Sequence, residues 1–241
     1  TGFLQRAPVP VMRMASDGSY RNIFVSGTSQ TKTDWANQQA VAFLNPDNYL
    51  VSLSKDGTIL KAQHWYGPDR TDRLPPPNDF FLSASAYTTN SDYFISARPG
   101  LPVRSFNVKT GKIVEFPDTI RDIVEMDSNN FEIILRDASG RVFVTTADGK
   151  PGDSFRMVPA DIGPAIAVRA GSNMFAAQHP DGTWQAWGDS DELVAQTANI
   201  GHAIDIDFYS EGPGKPVYMM WIEPVTDGVP ATEIQPESQV L

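Results

Sequence analysis

The feature that most constrains the fold of this chain is a regular spacing of glycine turns. A glycine follows Asp, Pro or Ser in five turn dipeptides, at Gly18, Gly57, Gly100, Gly140 and Gly182. Successive glycines lie 39, 43, 40 and 42 residues apart, and Asp and Gly readily adopt the positive φ of tight hairpin turns. The runs between them are short and strand-like, and convincing helical periodicity is scarce. A repeat of about 40 residues with this content is typical of an all-β propeller, in which each repeat forms one four-stranded blade.

The same spacing predicts the domain organisation of the 241 residues. About six repeats fit into residues 1–223, and we predict a single propeller of about six blades there, although five or seven blades also fit. Residues 1–10 are expected to complete the last blade beside Trp221, because the unpaired backbone groups of an edge strand promote aggregation. Residues 224–241 are rich in proline and acidic residues and predict a tail or linker.

Charge and composition exclude several classes of function. The net charge is -10, which argues against a nucleic-acid partner because phosphates favour Lys and Arg. Residues 1–120 carry a net +2 and residues 121–241 a net -12, so the second half favours a cationic protein partner. The absence of Cys excludes disulfides, thiolate metal sites and cysteine nucleophiles. No apolar run approaches the ~20 residues that span a bilayer, and we expect no membrane span.

One repeat carries a recognisable motif, GSNMFAAQHPDGTWQAWGD, over residues 171–189. Gly171, Gly182 and the Trp187-Gly188 pair have the spacing of the repeat of the regulator of chromosome condensation family, which this segment resembles. Met174 stands where that family has a histidine. The resemblance implies a propeller that acts as an interaction module within a larger bacterial protein, compatible with an extracytoplasmic or secreted location. It does not imply nucleotide exchange on a GTPase, because the other repeats lack the signature and no basic tail is present.

The physical interpretation of this motif is structural. Glycine permits turns that a Cβ forbids, so we expect Gly171 and Gly182 to lie in turns. Trp187 is predicted to bury its ring between blades, and Gly188 to let the chain pass close beside it.

A loop that follows the second repeat contains aromatic and Arg residues and is followed by three consecutive prolines, which restrict its backbone. This composition is typical of a binding hot spot, and the alternative is a crossover between blades. The candidate partner-binding residues are His64, Trp65, Tyr66, Asp69, Arg70 and Arg73.

Carboxylates alternate in two predicted first strands of the second half. Asp205 and Asp207 point to one face of their strand, and Glu125 and Asp127 do so in an earlier repeat. If these strands line the central channel of the propeller, the four carboxylates make one opening of that channel acidic. Such an opening could bind an ion or a cationic side chain. The alternative is a water-filled channel that tolerates charge without function.

We therefore predict a non-enzymatic module that binds a protein partner. A carbohydrate-binding propeller stays open as an alternative, as does a hydrolase or lyase that uses the four channel carboxylates. No metal-binding histidine spacing, phosphate-binding loop or nucleophile elbow occurs in the sequence, so no cofactor or metal is expected. The sequence does not determine the oligomeric state.

Overall fold

The fold is described from a computed structural model of the chain. The structure describes residues 10–14, 20–24, 42–44, 49–54, 56–64, 74–90, 92–129, 131–150, 158–210 and 216–222. Side chains are described from Val51 onward within these ranges, except at residues 52, 60–64 and 209.

The described residues form six small antiparallel sheets, and the strands of each sheet pair in chain order. The first sheet contains β1 (Pro10–Met14) and β2 (Tyr20–Phe24). The second contains β3 (Ala42–Leu44), β4 (Tyr49–Leu53) and β5 (Ile59–His64). The third contains β6 (Ala86–Asn90), β7 (Tyr93–Ala97), β8 (Arg104–Asn107) and β9 (Ile113–Glu115).

Three further sheets follow in the second half. The fourth contains β10 (Ile123–Ser128), β11 (Glu132–Asp137) and β12 (Val142–Thr146). The fifth contains β13 (Ala167–Gly171), β14 (Met174–Gln178) and β15 (Trp184–Gly188). The helix α1 (Asp191–Thr197) leads to the sixth sheet, which contains β16 (Asp205–Ser210) and β17 (Val217–Ile222).

The spaced glycines occupy equivalent turns between the second and third strands of their sheets. Gly57, Gly140 and Gly182 all have φ between +86° and +89°, a conformation that a Cβ disfavours. Each of these glycines donates its N–H to the carbonyl of the residue three positions earlier, at 2.9–3.0 Å. The repeated glycine is therefore a repeated hairpin turn, whereas Gly18 lies outside the described residues.

Neighbouring sheets from the second to the sixth share buried apolar layers. Four clusters of buried side chains lie at the successive sheet-to-sheet contacts and join Leu53 with Phe94, Ile95 with Leu135, Ile134 with Phe175, and Ala176 with Ile206. Adjacent residues of each second strand enter opposite clusters because side chains alternate across a strand. This succession of face-to-face sheets agrees with the predicted all-β propeller, and the number of blades stays a prediction.

The first strands of the later sheets approach one another. β6 contacts β10, β10 contacts β13, and β13 contacts β16, which places them around the axis of the propeller. Polar side chains join these strands: Ser85 Oγ donates to the Ile123 carbonyl at 2.6 Å, and Asn90 Nδ2 donates to the Asn129 carbonyl at 2.6 Å.

The helix α1 is an element that the sequence analysis did not predict. Its N-cap is Ser190, whose side chain accepts the N–H of Leu193, and its first turn contains Asp191 and Glu192. A polar cap followed by acidic residues is the usual signal of a helix start, although α1 has only seven residues. No helix in the described part of the chain is long and apolar enough to cross a membrane.

Candidate functional site

The predicted partner-binding loop lies almost entirely beyond the residues that the structure describes. His64 is the last residue of β5, and only its backbone is described. The other candidates, Trp65, Tyr66, Asp69, Arg70 and Arg73, lie outside the described residues. This loop stays a prediction.

The predicted channel carboxylates lie on two first strands, with β13 between them. Arg169 of β13 bridges the two: its Nη1 lies 2.8 Å from Glu125 Oε1, and its Nε lies 2.7 Å from Asp205 Oδ1. The second oxygen of Glu125 contacts Arg136 Nε at 2.9 Å. Burial by itself lowers the pKa of Arg169, but its hydrogen bonds to Asp205 and Glu125 outweigh that effect and raise the pKa above its usual value.

The other two carboxylates lie next to this network. Asp127 accepts the backbone N–H of Ala170 at 2.9 Å and that of Ser128 at 2.8 Å. Desolvation raises the pKa of Asp127, and the charge of Asp207 adds to the increase. Asp207 is exposed and accepts the N–H of Phe208 at 2.7 Å. Among the described residues, no ion pair reaches Asp207.

The proximity of these two carboxylates leads to a prediction for the variant Asp207→Asn. We expect the pKa of Asp127 to fall because a neighbouring negative charge is lost, but to stay above its ordinary value because the larger cause, burial, remains. The titration of the carboxyl carbon of Asp127 by NMR measures this change, and Asp181→Asn in an exposed turn is the control. An unchanged pKa of Asp127 in Asp207→Asn would show that the two groups do not interact.

The sign of the effect on stability follows from the raised pKa. The folded state holds the proton of Asp127 more tightly than the unfolded state, in which the pKa of the carboxyl is near 3.8. The stabilisation by Asp127 therefore grows as the pH falls through the pKa of the folded state. It is complete once the pH lies below the pKa of the unfolded state.

Arg169 and Arg136 are components of this network that the sequence analysis missed. Arg169 occupies a register position in β13 between buried Val168 and Ala170. A comparison of charged positions across repeats, regardless of sign, would have found it. Within the described residues, no group of three or more His, Asp or Glu side chains is arranged to hold a metal ion.

An exposed aliphatic residue lies beside the first residue of each of three successive first strands, β10, β13 and β16. These residues are Val124, Ile166 and Ile204, and their exposed fractions lie between 40% and 57%. Val124 adjoins Glu125, and Ile204 adjoins Asp205. Because both carboxylates bind Arg169, the starts of these strands converge at one mouth of the channel. We call these three residues the apolar rim.

The residues of the recognised repeat pack within and against the fifth sheet. The ring of Trp187 is buried and stacks on Phe175, with 5.9 Å between ring centroids. Gly188 has φ +139°, and a Cβ there would overlap the carbonyl oxygen of Asn173. Gly182 lies in the hairpin turn described above.

Gly171 differs from its expected role. It ends β13, and its φ does not lie in the left-handed region that favours glycine. A Cβ at this position would instead overlap the carbonyl oxygen of Phe208 in β16. The expectation of a turn was therefore wrong for Gly171: glycine is needed because two first strands approach closely, which no local pattern reveals.

Comparisons with known proteins agree with the fold. No protein-family model and no curated protein matches the chain. Among solved structures, Hsv2 of Kluyveromyces lactis is similar over 88% of this chain and 74% of its own, at 8% identity and a TM-score of 0.52. PorZ, a bacterial surface component of the type-IX secretion system of Porphyromonas gingivalis, is similar over 90% of this chain at 9% identity and a TM-score of 0.50.

The chain spans only part of some of these proteins. It covers 32% of PorZ. Prp20p of Saccharomyces cerevisiae is similar over 69% of this chain and 48% of its own, at 12% identity and a TM-score of 0.44. The sheet arrangement, together with the similarity to Hsv2 and PorZ, identifies the fold as an all-β propeller.

Proposed function

We propose that this chain is a non-enzymatic protein-interaction module on a propeller scaffold, within a larger bacterial protein. The observation that carries the proposal is the apolar rim, in which three successive repeats each expose an aliphatic side chain at the same mouth. Scattered exposed apolar residues are normal, but a group of them that is bordered by polar side chains is typical of a protein-binding surface.

Charge beside the rim specifies the kind of partner. Glu125 and Asp205 share Arg169, and Asp207 remains exposed beside them. Together with the adjacent Asp127 and Asp207, the group comprises four carboxylates and two guanidinium groups, so its formal net charge is negative. We infer that the partner presents a cationic side chain next to an apolar one. The apolar contact supplies the affinity and the charge steers the approach.

The contacts of the channel carboxylates favour binding over catalysis. Both oxygens of Glu125 bind arginines, and both oxygens of Asp127 accept backbone N–H groups. These oxygens tie neighbouring strands together. The alternative of a carbohydrate-binding propeller needs exposed aromatic rings at equivalent positions of several repeats. Trp184 and Trp187 are buried, and the exposed rings of Phe131, Tyr218 and Trp221 do not occupy equivalent positions of their sheets. The proposed membership in the regulator of chromosome condensation family rests on the single repeat at residues 171–189.

The loop at residues 64–73 is proposed as a second region that contacts the partner.

Photo-cross-linking in the native host tests the binding surface. A benzophenone amino acid at Ile166 is expected to capture a discrete partner that mass spectrometry identifies. The matched control is the same group at Phe131, which is 63% exposed but lies in the turn at the opposite end of β10. Equal cross-linking from both positions, or none from Ile166, would refute the proposed surface.

The captured partner then allows a quantitative prediction. Ile204→Asp is expected to weaken its binding by about tenfold or more, because a charge replaces an apolar anchor. Phe131→Asp should leave the affinity unchanged. Calorimetric titration of both variants, at low and high salt, measures the two contributions. Equal affinities for Ile204→Asp and the unmodified protein would contradict the prediction.

A further inference from the structure

A cleft of about 370 Å³ lies beside β12, the last strand of the fourth sheet. This volume is at the lower end of the range for small-molecule sites, about 300–1,000 Å³. The apolar walls come from Val142 and Phe143 of β12, and from Val158 and Ile162 in the segment that leads to β13. Of the described residues that line the cleft, Arg141 is the charged one. The cleft therefore combines an apolar interior with one guanidinium group.

Two hydrogen bonds hold the segment of residues 158–164 that forms one wall. At its end, the N–H of Ala165 donates to the Gly140 carbonyl of the fourth sheet at 2.8 Å. In its middle, Gln185 Nε2 of β15 donates to Asp161 Oδ2 at 3.2 Å. Since the wall is attached to both the fourth and the fifth sheets, the shape of the cleft is set by the packing of these sheets.

The equivalent contact between the second and third sheets is filled by large side chains. Before β6, the Phe81 carbonyl lies against the hairpin glycine of the second sheet, as the Ala165 carbonyl lies against that of the fourth sheet before β13. Phe81 and the preceding Phe80 are both fully buried in this contact. Pro164 and Ala165 hold the corresponding positions before β13, and their smaller side chains leave room there. The cleft thus results from a difference in sequence between repeats.

The guanidinium of Arg141 is held beside the cleft with two of its nitrogens unused. Its Nε donates to Asp137 Oδ2 at 2.6 Å, and its Cζ lies 5.4 Å from the centre of the Phe143 ring. The side chain of Asp137 is 4% exposed, whereas that of Arg141 is 67% exposed. Within the described residues, no hydrogen bond or ion pair uses the Nη groups of Arg141. These groups are therefore accessible to a ligand.

The hairpin turn itself does not require this guanidinium. In the equivalent turn of the fifth sheet, the N–H and hydroxyl of Thr183 donate to Asp181 Oδ1 at 2.9 and 2.7 Å. In the fourth sheet, the N–H of Arg141 and the hydroxyl of Ser139 donate to Asp137 Oδ1 at 3.0 and 2.7 Å. The backbone of Arg141 thus satisfies the turn, and its side chain is left to act at the cleft.

We propose that this cleft binds a small carboxylic acid with an apolar body. The carboxylate accepts hydrogen bonds from both Nη groups of Arg141, because guanidinium and carboxylate groups match in a two-bond geometry. The hydrocarbon part of the ligand lies against Val142, Val158 and Ile162. This inference is independent of the proposed function, because its ligand is not a protein and no residue of the apolar rim lines the cleft.

Titration of the whole chain with three compounds tests the ligand class. Methyl NMR is expected to show saturable shifts at Val142, Val158 and Ile162 on addition of 4-phenylbutanoate. The neutral 4-phenylbutanamide should bind about tenfold more weakly or worse, because it loses the charged hydrogen bonds. Butanoate should also bind more weakly, because it lacks the ring. Equal affinities for the acid and the amide, or no saturable shifts at these three residues, would overturn the proposal.

Substitution of the arginine tests its role. Arg141→Met is expected to weaken the binding of 4-phenylbutanoate by about tenfold or more and to leave that of the amide unchanged. Arg121→Met is the matched control, because Arg121 also pairs with a nearby carboxylate, that of Asp118. It should keep the affinity of the unmodified protein.

A second variant separates binding from folding. Arg141→Met leaves the buried carboxylate of Asp137 without this arginine, whereas Arg141→Met with Asp137→Asn removes both charges. Urea denaturation identifies the variants that stay folded under the titration conditions. Unchanged affinity for 4-phenylbutanoate in a folded variant without Arg141 would refute the site.

Discussion

Replacing Gly171 with alanine is expected to lower the free energy of unfolding by about 3 kcal/mol, because added volume in a packed contact forces the backbone to shift. The Cβ would overlap the carbonyl oxygen of Phe208, which belongs to the backbone of β16. A backbone atom cannot rotate away, so the fifth and sixth sheets must separate. The cluster that joins Ala176 and Ile206 lies at this contact and would loosen with it.

Urea denaturation measures this loss as a lower midpoint with a similar slope. Gly163→Ala is the matched control, because a Cβ there meets nothing within 4 Å. This control should be neutral or slightly stabilising, since alanine reduces the freedom of the unfolded chain. Equal midpoints for the two variants would show that the sheets do not approach at Gly171 as described.

Replacing Arg169 with methionine is expected to lower the free energy of unfolding by about 2 kcal/mol. The change removes the ion pair that Asp205 forms with Arg169, its ion-pair partner among the described residues, and leaves Glu125 with one such arginine instead of two. Loss of one partner of a buried ion pair costs about 3–5 kcal/mol. We expect less because the side chain of Arg169 is 28% exposed and water screens part of the charge.

The double variant Arg169→Met with Asp205→Asn separates charge from packing. It should recover part of the loss, because the uncompensated carboxylate is removed as well. Arg121→Met is the control, since Arg121 pairs with an Asp118 carboxylate that is 76% exposed, and such pairs contribute at most about 1 kcal/mol. Thermal unfolding of the four proteins measures these differences. A loss in Arg169→Met no greater than in Arg121→Met would contradict the bridging role of Arg169.

Much of the architecture could be predicted from local patterns. The spacing of Gly57, Gly140 and Gly182 predicted repeated hairpins because positive φ is a property of a single residue and its neighbours. The alternation of Glu125 with Asp127, and of Asp205 with Asp207, identified the strands that carry the charged network. Strand periodicity of two is sufficient for such an inference.

The partners of those residues could not be predicted in the same way. Arg169 lies 36 residues from Asp205 and 44 from Glu125, and no local pattern connects them. The helix α1 escaped detection because seven residues are too few to show a helical period. Gly171 was assigned to a turn because the sequence contains no sign of the neighbouring strand.

The amino-acid sequence by itself determined the repeat length, the strand content and the sign of the charge in each half, because these depend on residues close together in the chain. The tertiary structure alone decided that Arg169 joins two acidic strands and that the backbone of β16 approaches Gly171. It also decided that the strands next to Val124, Ile166 and Ile204 are neighbours, with these residues toward the same mouth of the channel. Each of these results depends on which sheets are neighbours. That choice is made by the burial of apolar faces over the whole chain, and no single repeat contains the information.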